Sequence, residues 1–279
     1  MGRFITNEVK AAFGFVMRDL SLTKRYLGWE IVFFGYSLVN ALAVGLIRAG
    51  DAPDKQAEGI LFLVTGAVFW SFLIILFDII ADTIAWERWE GTIEYTFMAP
   101  IHRVTHLLGE SGFGVCYSII RSIFVLAVVV VFFHFSYPQA GILGYLKHAN
   151  FLGAILVLAV ASLSFLGMGI MAAVLPLLSP EKGPQATHVF QAIIMLISGI
   201  YYPVEIMPGW MQPLARLSPG TYALRSIRGA LLKGQSIREL LGDIIVLLVA
   251  GVILIPFGVW VFHVAEVVAK KKGFLKRSG

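Results

Sequence analysis

Apolar residues in this chain gather in long uncharged runs separated by short polar stretches, and the run lengths set the elements. A helix crossing ~30 Å of hydrocarbon needs about 20 mostly apolar residues. Six segments approach that measure: Ile31 to Ile47, Gly59 to Phe77, about Ser111 to Phe133, Phe151 to Leu178, Gly183 to Val204 and Ile244 to Ala265. The third holds one charge, Arg121, while Asp78 and Asp82 follow the second run, one helical turn apart. Ahead of the first run, Ile5, Val9, Ala12, Phe13, Val16 and Leu20 recur at helical spacing, with Lys10, Arg18, Ser21 and Arg25 on roughly the other side. The pattern predicts an amphipathic helix over residues 1–28 lying in a membrane interface, with a solvated leader packed on the protein as the alternative.

Composition agrees with the pattern. The 279 residues are 58% hydrophobic and only 14% charged, against roughly 25% charged in a soluble domain. A water-soluble fold of this length has no place for that much apolar surface. The fold class read here is an all-α polytopic membrane protein with six transmembrane helices. The net charge of +5 does not indicate nucleic acid, because the basic residues sit between apolar runs and at the ends rather than in a stripe. No long uncharged run occurs in the first 28 residues, so a cleaved signal peptide is not expected. With both ends inside, thirteen Lys and Arg fall on the cytoplasmic side and eight outside. That bias favours both termini in the cytoplasm, and the chain is expected in the plasma or inner membrane. The single cysteine, Cys116, lies in an apolar stretch and reads as core filler.

Two irregular segments carry chemistry. Between the second and third runs lies Trp86-Glu-Arg-Trp-Glu-Gly-Thr-Ile-Glu-Tyr-Thr-Phe-Met-Ala-Pro100. Glu87, Glu90 and Glu94 share a face if this stretch is one helix, and Pro100 stops it. Carboxylates beside aromatic anchors suit docking against another protein; an ordinary interfacial loop rich in Trp reads equally well. The second segment follows the fifth run, where four prolines, Pro203, Pro208, Pro213 and Pro219, interrupt a still apolar stretch. Broken apolar backbone beside a span suggests a re-entrant hairpin over about 205–232, with a surface loop bearing an interfacial Trp as the alternative.

These segments resemble the two signatures of type-2 ATP-binding-cassette (ABC) exporter membrane subunits. Arg88-Trp-Glu-Gly-Thr-Ile-Glu94 with Pro100 and Arg103 is similar to the family's cytoplasmic motif, although Gly91 follows Glu90 directly. Gly199, Tyr202, Pro203, Pro208, Leu214, Pro219, Tyr222 and Arg225 resemble the second motif. The resemblance covers nearly the whole chain, assigning 29–279 to one six-helix transmembrane domain. It implies that about 87–98 is a coupling helix on a separate ATP-hydrolysing subunit, with Glu87, Glu90, Gly91, Thr92, Glu94, Pro100 and Arg103 at the contact. The same resemblance implies that Gly199, Tyr202, Pro203, Pro208, Pro219, Tyr222 and Arg225 belong to an external gate. Two copies of the chain would pair, with the first, second and fifth spans lining the route and two copies of the ATPase subunit below. ATP and magnesium are then expected on that partner, and no cofactor in this chain.

The residues themselves add a negative. No Gly-x-x-x-x-Gly-Lys-Ser/Thr phosphate loop occurs in the sequence, so ATP hydrolysis by that mechanism is not expected of this chain. An Arg in a span is costly, and Arg121 is expected to face the bundle and pair with Asp78, Asp82 or a polar neighbour, or else to snorkel. His102, His106 and Glu110 are spaced four apart, superficially like a metal site, and read as a solvated helix face. An ion-driven carrier or membrane enzyme is the remote rival, disfavoured because the last three spans lack acidic residues. For cargo, the aromatic-rich first two spans favour an amphipathic or hydrophobic compound, a drug or lipid. Lipid-linked polysaccharide is the second choice. Asn40, Phe34 and Phe69 are candidate pathway residues beside Asp78, Asp82 and Arg121.

Overall fold

A computed structural model describes residues 2–98, 103–179 and 182–273, whose regular elements are all helical. The N-terminal helix α1 spans Gly2–Arg25 and α2 spans Leu27–Leu46. Then come α3 (Pro53–Glu90), α4 (Ile93–Met98) and α5 (Arg103–Ser136). A short α6 (Ile142–Leu146) precedes α7 (Phe151–Ala172), which continues past one turn residue into α8 (Val174–Leu178). The remainder is α9 (Gly183–Ile197), α10 (Gln212–Leu217), α11 (Pro219–Lys233) and α12 (Ile237–Lys272). Five stretches are long and apolar enough to cross a membrane: Leu27–Leu46, Lys55–Arg88, Thr105–Ser136, Phe151–Leu178 and Ile237–Lys272. The protein is therefore a membrane protein.

The expected span from Gly183 to Val204 is shorter than its hydropathy. Its helix has 15 residues, about 22 Å at 1.5 Å per residue. It ends because the chain turns at Gly199, where φ is 66° and a side chain would be strained. Helix α3, by contrast, has 38 residues, about 57 Å, longer than the hydrocarbon is thick.

Helix α3 is the axis of the bundle. Phe69, Phe72, Leu73, Leu76, Phe77 and Ile80 along it are all at most 2% exposed. On one side they meet α7, where Phe165 packs edge-on to Phe69 with ring centroids 5.8 Å apart. On another side α3 joins α2 and α5 through Ile60, Leu61, Val64, Val125, Val129 and Phe133. Helix α12 packs on α7 through small residues, as helices do when burial in lipid gives no hydrophobic drive. A Cβ on Gly167 would lie 2.4 Å from the Leu254 carbonyl carbon, and one on Gly258 would lie 2.5 Å from the Gly167 oxygen. Elsewhere α12 turns Val252, Ile253, Phe257 and Trp260 outward.

Helix α1 packs along α5 while leaving Val9, Phe13 and Leu20 exposed. It thus combines a packed face with an outward apolar one. Cys116, expected in the core, is exposed on α5; in a membrane-facing helix an apolar neighbourhood does not entail burial. Helix α1 and the last turns of α12 lie at the same end of the bundle. Helix α1 meets the start of α5, while α12 begins beside Asn150, whose Nδ2 donates to the Gln235 carbonyl at 2.9 Å, and runs back toward α8.

Candidate functional site

At the α1 end of the bundle, α3 stops on a glycine. Gly91 has φ 75°, its N–H donates to the Arg88 carbonyl at 3.2 Å, and the Thr92 N–H donates to the Glu87 carbonyl at 2.9 Å. This pair of bonds is a Schellman cap, which needs the left-handed residue that glycine supplies. The expected single helix over 87–98 is therefore two, and Glu94, in α4, is not in helical register with Glu87 and Glu90. Ile93 is fully buried and anchors α4 to the core, whereas Glu90, Thr92, Tyr95 and Met98 are exposed. Pro100 lies outside the described residues, as do the side chains of Glu94 and Arg103.

Glu87 does not belong to the outward face. It is 7% exposed and accepts from Arg18 Nη1 at 3.4 Å. The same guanidinium reaches Glu110 Oε1 at 2.5 Å and Asp19 Oδ1 at 3.2 Å. Thr83 Oγ1 donates to the other Glu110 oxygen at 2.9 Å. His106 Nε2 stands 3.5 Å from Glu87 Oε1 and 3.8 Å from Glu110 Oε1, with the Phe15 ring of α1 tilted against it at a centroid distance of 4.6 Å. Burial pulls the Arg18 guanidinium down, but the surrounding charges of Glu110, Asp19 and Glu87 outweigh it and hold it above its ordinary value. The solvated face expected for His106 and Glu110 is thus corrected: α1 covers it, and both residues are 1% exposed. His102 lies outside the described residues. Arg88, next to the cap, points inward and donates from Nη1 to the Leu177 carbonyl at 2.7 Å and the Pro176 carbonyl at 3.2 Å. It ties the end of α3 to the last turn of α8.

At the opposite end, the proline-rich segment forms a turn and two short helices. Pro213 and Pro219 sit in the first turns of α10 and α11, where the missing N–H costs nothing. Pro203 precedes a single 3-10 turn, Val204–Ile206, and Pro208 follows it. Helix α11 is deeply packed, burying Ala223, Leu224, Ile227, Ala230 and Leu231. Two phenols cap backbone: Tyr202 Oη donates to the Leu196 carbonyl at 2.6 Å and Tyr222 Oη to the Arg216 carbonyl at 2.8 Å. Burial pushes the Tyr202 hydroxyl above its usual value. Arg225 forms a two-pronged pair with Asp243 of α12, with Nε to Oδ2 at 2.9 Å. That carboxylate holds it above its ordinary value.

The residue that organises this end lies outside both sequence signatures. Arg228 of α11 donates to the carbonyls of Ile200 at 2.6 Å, Phe62 at 3.1 Å and Gly199 at 3.2 Å. Its guanidinium also lies 3.5 Å from the centre of the Phe62 ring. Burial lowers it to about 9. Gly66 allows the approach, since a Cβ there would be 2.1 Å from the Ile200 oxygen.

Within the spans the polar residues sort into two groups. Asp78 accepts from Gln191 Nε2 of α9 at 2.7 Å, and Gln191 is in turn 3.1 Å from His188 Nδ1. Asp82, one turn on, is exposed. Arg121 is satisfied by polar neighbours and not by these aspartates: Nη1 donates to Tyr117 Oη and Nη2 to Ser37 Oγ, each at 3.0 Å. Ser71 Oγ extends this chain to Ser37 at 3.2 Å. Asn40 is exposed and Phe34 is half-buried beside Phe124. Phe69, offered as a pathway residue, is 2% exposed inside the α3–α7 core and faces no pathway within the chain; the helix axis puts it inward.

Comparison with known proteins agrees with this architecture. The linearmycin resistance permease protein LnrN of Bacillus subtilis (strain 168) is 26% identical over 121 residues, covering 41% of this chain and 31% of that protein. The aligned region is thus under a third of the relative's length. Residues 15–232 match the ABC-2 type transporter family model, from the middle of α1 through α11. The chain belongs to the ABC-2 type transporter family and is a membrane component of an ABC transporter.

Proposed function

We propose that this chain is the permease subunit of an ATP-driven exporter, working as a pair of identical permeases with two copies of a separate ATP-binding-cassette ATPase. The observation that carries the reading is the elbow at Gly91. A left-handed cap at Gly91 ends α3, and Glu90 before it and Tyr95 and Met98 after it stand exposed at the end of the bundle where α1 lies. Exposed aromatic and apolar groups flanking a carboxylate suit a cleft on a soluble partner. Arg88 and Glu87 behind them are locked into α8 and α1, so a push on the elbow reaches the bundle. ATP and magnesium are then held by that partner.

The chain path supports six crossings. Helix α9 leaves the end where Arg88 meets Leu177 and delivers Ile200 to Arg228 at the opposite end. Both termini then share the cytoplasmic face of the plasma or inner membrane, in line with the bias in basic residues. The segment 205–232 caps the outer mouth. The cargo is an amphipathic or hydrophobic compound, drug or lipid. The relative named for resistance to linearmycin favours a drug. The outward face of α3 and α9 with Asp78, Asp82 and His188, together with Asn40, supplies polar groups for a route between two copies.

Replacing Glu90 with Lys tests the docking claim. The variant is expected to fold normally, with stability within about 0.5 kcal/mol of the parent. Cargo-stimulated ATP hydrolysis of the purified complex should fall, or the ATPase subunit should cease to copurify. Full coupling in Glu90→Lys removes the elbow from the interface. Failure of any ATPase to copurify with the unaltered chain rejects the exporter reading itself.

A further inference from the structure

We propose that the ion-pair cluster between α1, α3 and α5 is a proton-held clasp: the carboxyls of Asp19 and Glu110 share one proton, and its loss to water frees α1 from α5. The cluster gathers three carboxyl groups around one permanent positive charge. Arg18 donates from Nε to Asp19, from Nη1 to Glu87 and from Nη2 to Glu110. Those acidic side chains are only 12%, 9% and 2% exposed. The Asp19 and Glu110 carboxyls are also in hydrogen-bonding contact with each other. Two ionised carboxylates cannot bond in that way, because both only accept; one of them must carry a proton.

The supply of donors points the same way. Glu110 Oε2 receives Thr83 Oγ1 at 2.9 Å, but Asp19 Oδ2 and Glu87 Oε2 are enclosed without a donor, and His106 Nε2 has no hydrogen-bond partner. Enclosing a bare carboxylate oxygen costs more than enclosing a neutral carboxyl that donates. Among the described residues, no cation besides Arg18 and, when protonated, His106 reaches the three carboxyls. Arg88 turns away to the Pro176 and Leu177 carbonyls, while Lys10, Lys24 and Arg25 of α1 are exposed. The remaining acid on this face of α1, Glu8, accepts from Thr105. Packing keeps the carboxyls together. A Cβ on Gly109 would lie 2.8 Å from the Ala12 oxygen, so α1 sits hard against α5 one residue from Glu110.

The closed clasp therefore holds one proton more than α1 and α5 held apart, whose free carboxyls are ionised above about pH 5. By linkage, the form with more protons is favoured at low pH, so raising the pH favours release. Glu87 lies in the last turns of α3 ahead of Gly91, so release of α1 also removes the donor that holds the end of α3. The clasp does not depend on the exporter reading, because its readouts concern the resting chain.

Two measurements on the full chain, purified with its partners and without nucleotide, test the clasp. Infrared spectra at neutral pH should contain the C=O stretch of a protonated carboxyl that is missing from Glu110→Gln. Hydrogen exchange of the α1 amides, scaled for the base-catalysed rate of free peptide, is then followed between about pH 6 and pH 9. Protection of α1 in unaltered protein is expected to fall with rising pH, by up to about tenfold per unit. In Glu110→Gln the amide N–H donates permanently to Asp19, so protection should stay at its low-pH level throughout. His106→Gln should keep the pH dependence. A flat profile in unaltered protein overturns the clasp, and that result stands even if no variant folds. An infrared difference without a protonated-carboxyl band has the same consequence, as does a pH dependence that survives in folded Glu110→Gln. Loss of the dependence in folded His106→Gln would put the proton on the imidazole and equally reject the shared pair.

Discussion

The two ends of α3 are held by arginines in opposite ways. At the proline-rich end, Arg228 binds three backbone carbonyls and an aromatic face. Carbonyls cannot change charge or leave, so this arrangement locks one geometry. At the α1 end, Arg18 binds three carboxylates on three helices, Asp19, Glu87 and Glu110, with His106 among them. Ion pairs of this kind are held by charge balance and are half open to solvent, Arg18 being 38% exposed. The first end is a fixed staple; the second is a joint, and it sits beside the elbow at which energy is proposed to enter.

The sharpest way to break that contrast is Arg228→Leu. The buried Gly199 and Ile200 carbonyls lose their side-chain donor while the Phe62 carbonyl keeps Thr65 Oγ1, and the expected cost is about 3 kcal/mol, read as a lower unfolding midpoint in detergent. Arg228→Lys should recover only part of it, because one ammonium does not reproduce a planar fork reaching two elements. An unchanged midpoint in Arg228→Leu would mean that α11 is held by packing alone.

The joint should respond differently. Arg18→Met is expected to cost about 1–2 kcal/mol, discounted for the exposure of the arginine. Adding Glu110→Gln to it should return part of the loss, since the second change removes the carboxylate left unpaired. A double-mutant cycle measures this coupling. Strict additivity would show that Arg18 and Glu110 do not act as a pair.

How much of this was legible in the sequence follows from the range of each interaction. The long helices α3, α5, α7 and α12 were readable because uninterrupted apolar runs have few other fates in a membrane. The proline segment was readable as broken backbone for a local reason, the missing N–H. Helix α9 is shorter than its apolar run because hydropathy continues through Ile200 and Tyr201 while the chain turns at Gly199. Arg88 and Arg228 were invisible as anchors, since carbonyl partners carry no residue signature. The burial of His106 and Glu110 depends on α1, almost a hundred residues earlier, and no local spacing reveals that cover. The break after Glu90 is different: Gly91 marks it locally, while the three-and-four spacing of the glutamates runs across it.

That glycine gives the smallest of the expected effects and the finest probe of the joint. With φ 75°, Gly91→Ala should cost about 1 kcal/mol of local strain, and Gly91→Asn less, because asparagine tolerates the left-handed region better. Hydrogen exchange at the Gly91 and Thr92 amides reports the cap directly, through the bonds to Arg88 and Glu87. Protection there should fall in the order Gly, Asn, Ala while the amides around Arg228 stay unchanged, since the staple is built from other contacts. Equal protection in all three would mean that the cap does not end α3. The elbow would then owe its direction to the burial of Ile93, and substitutions at Ile93 rather than Gly91 would control it.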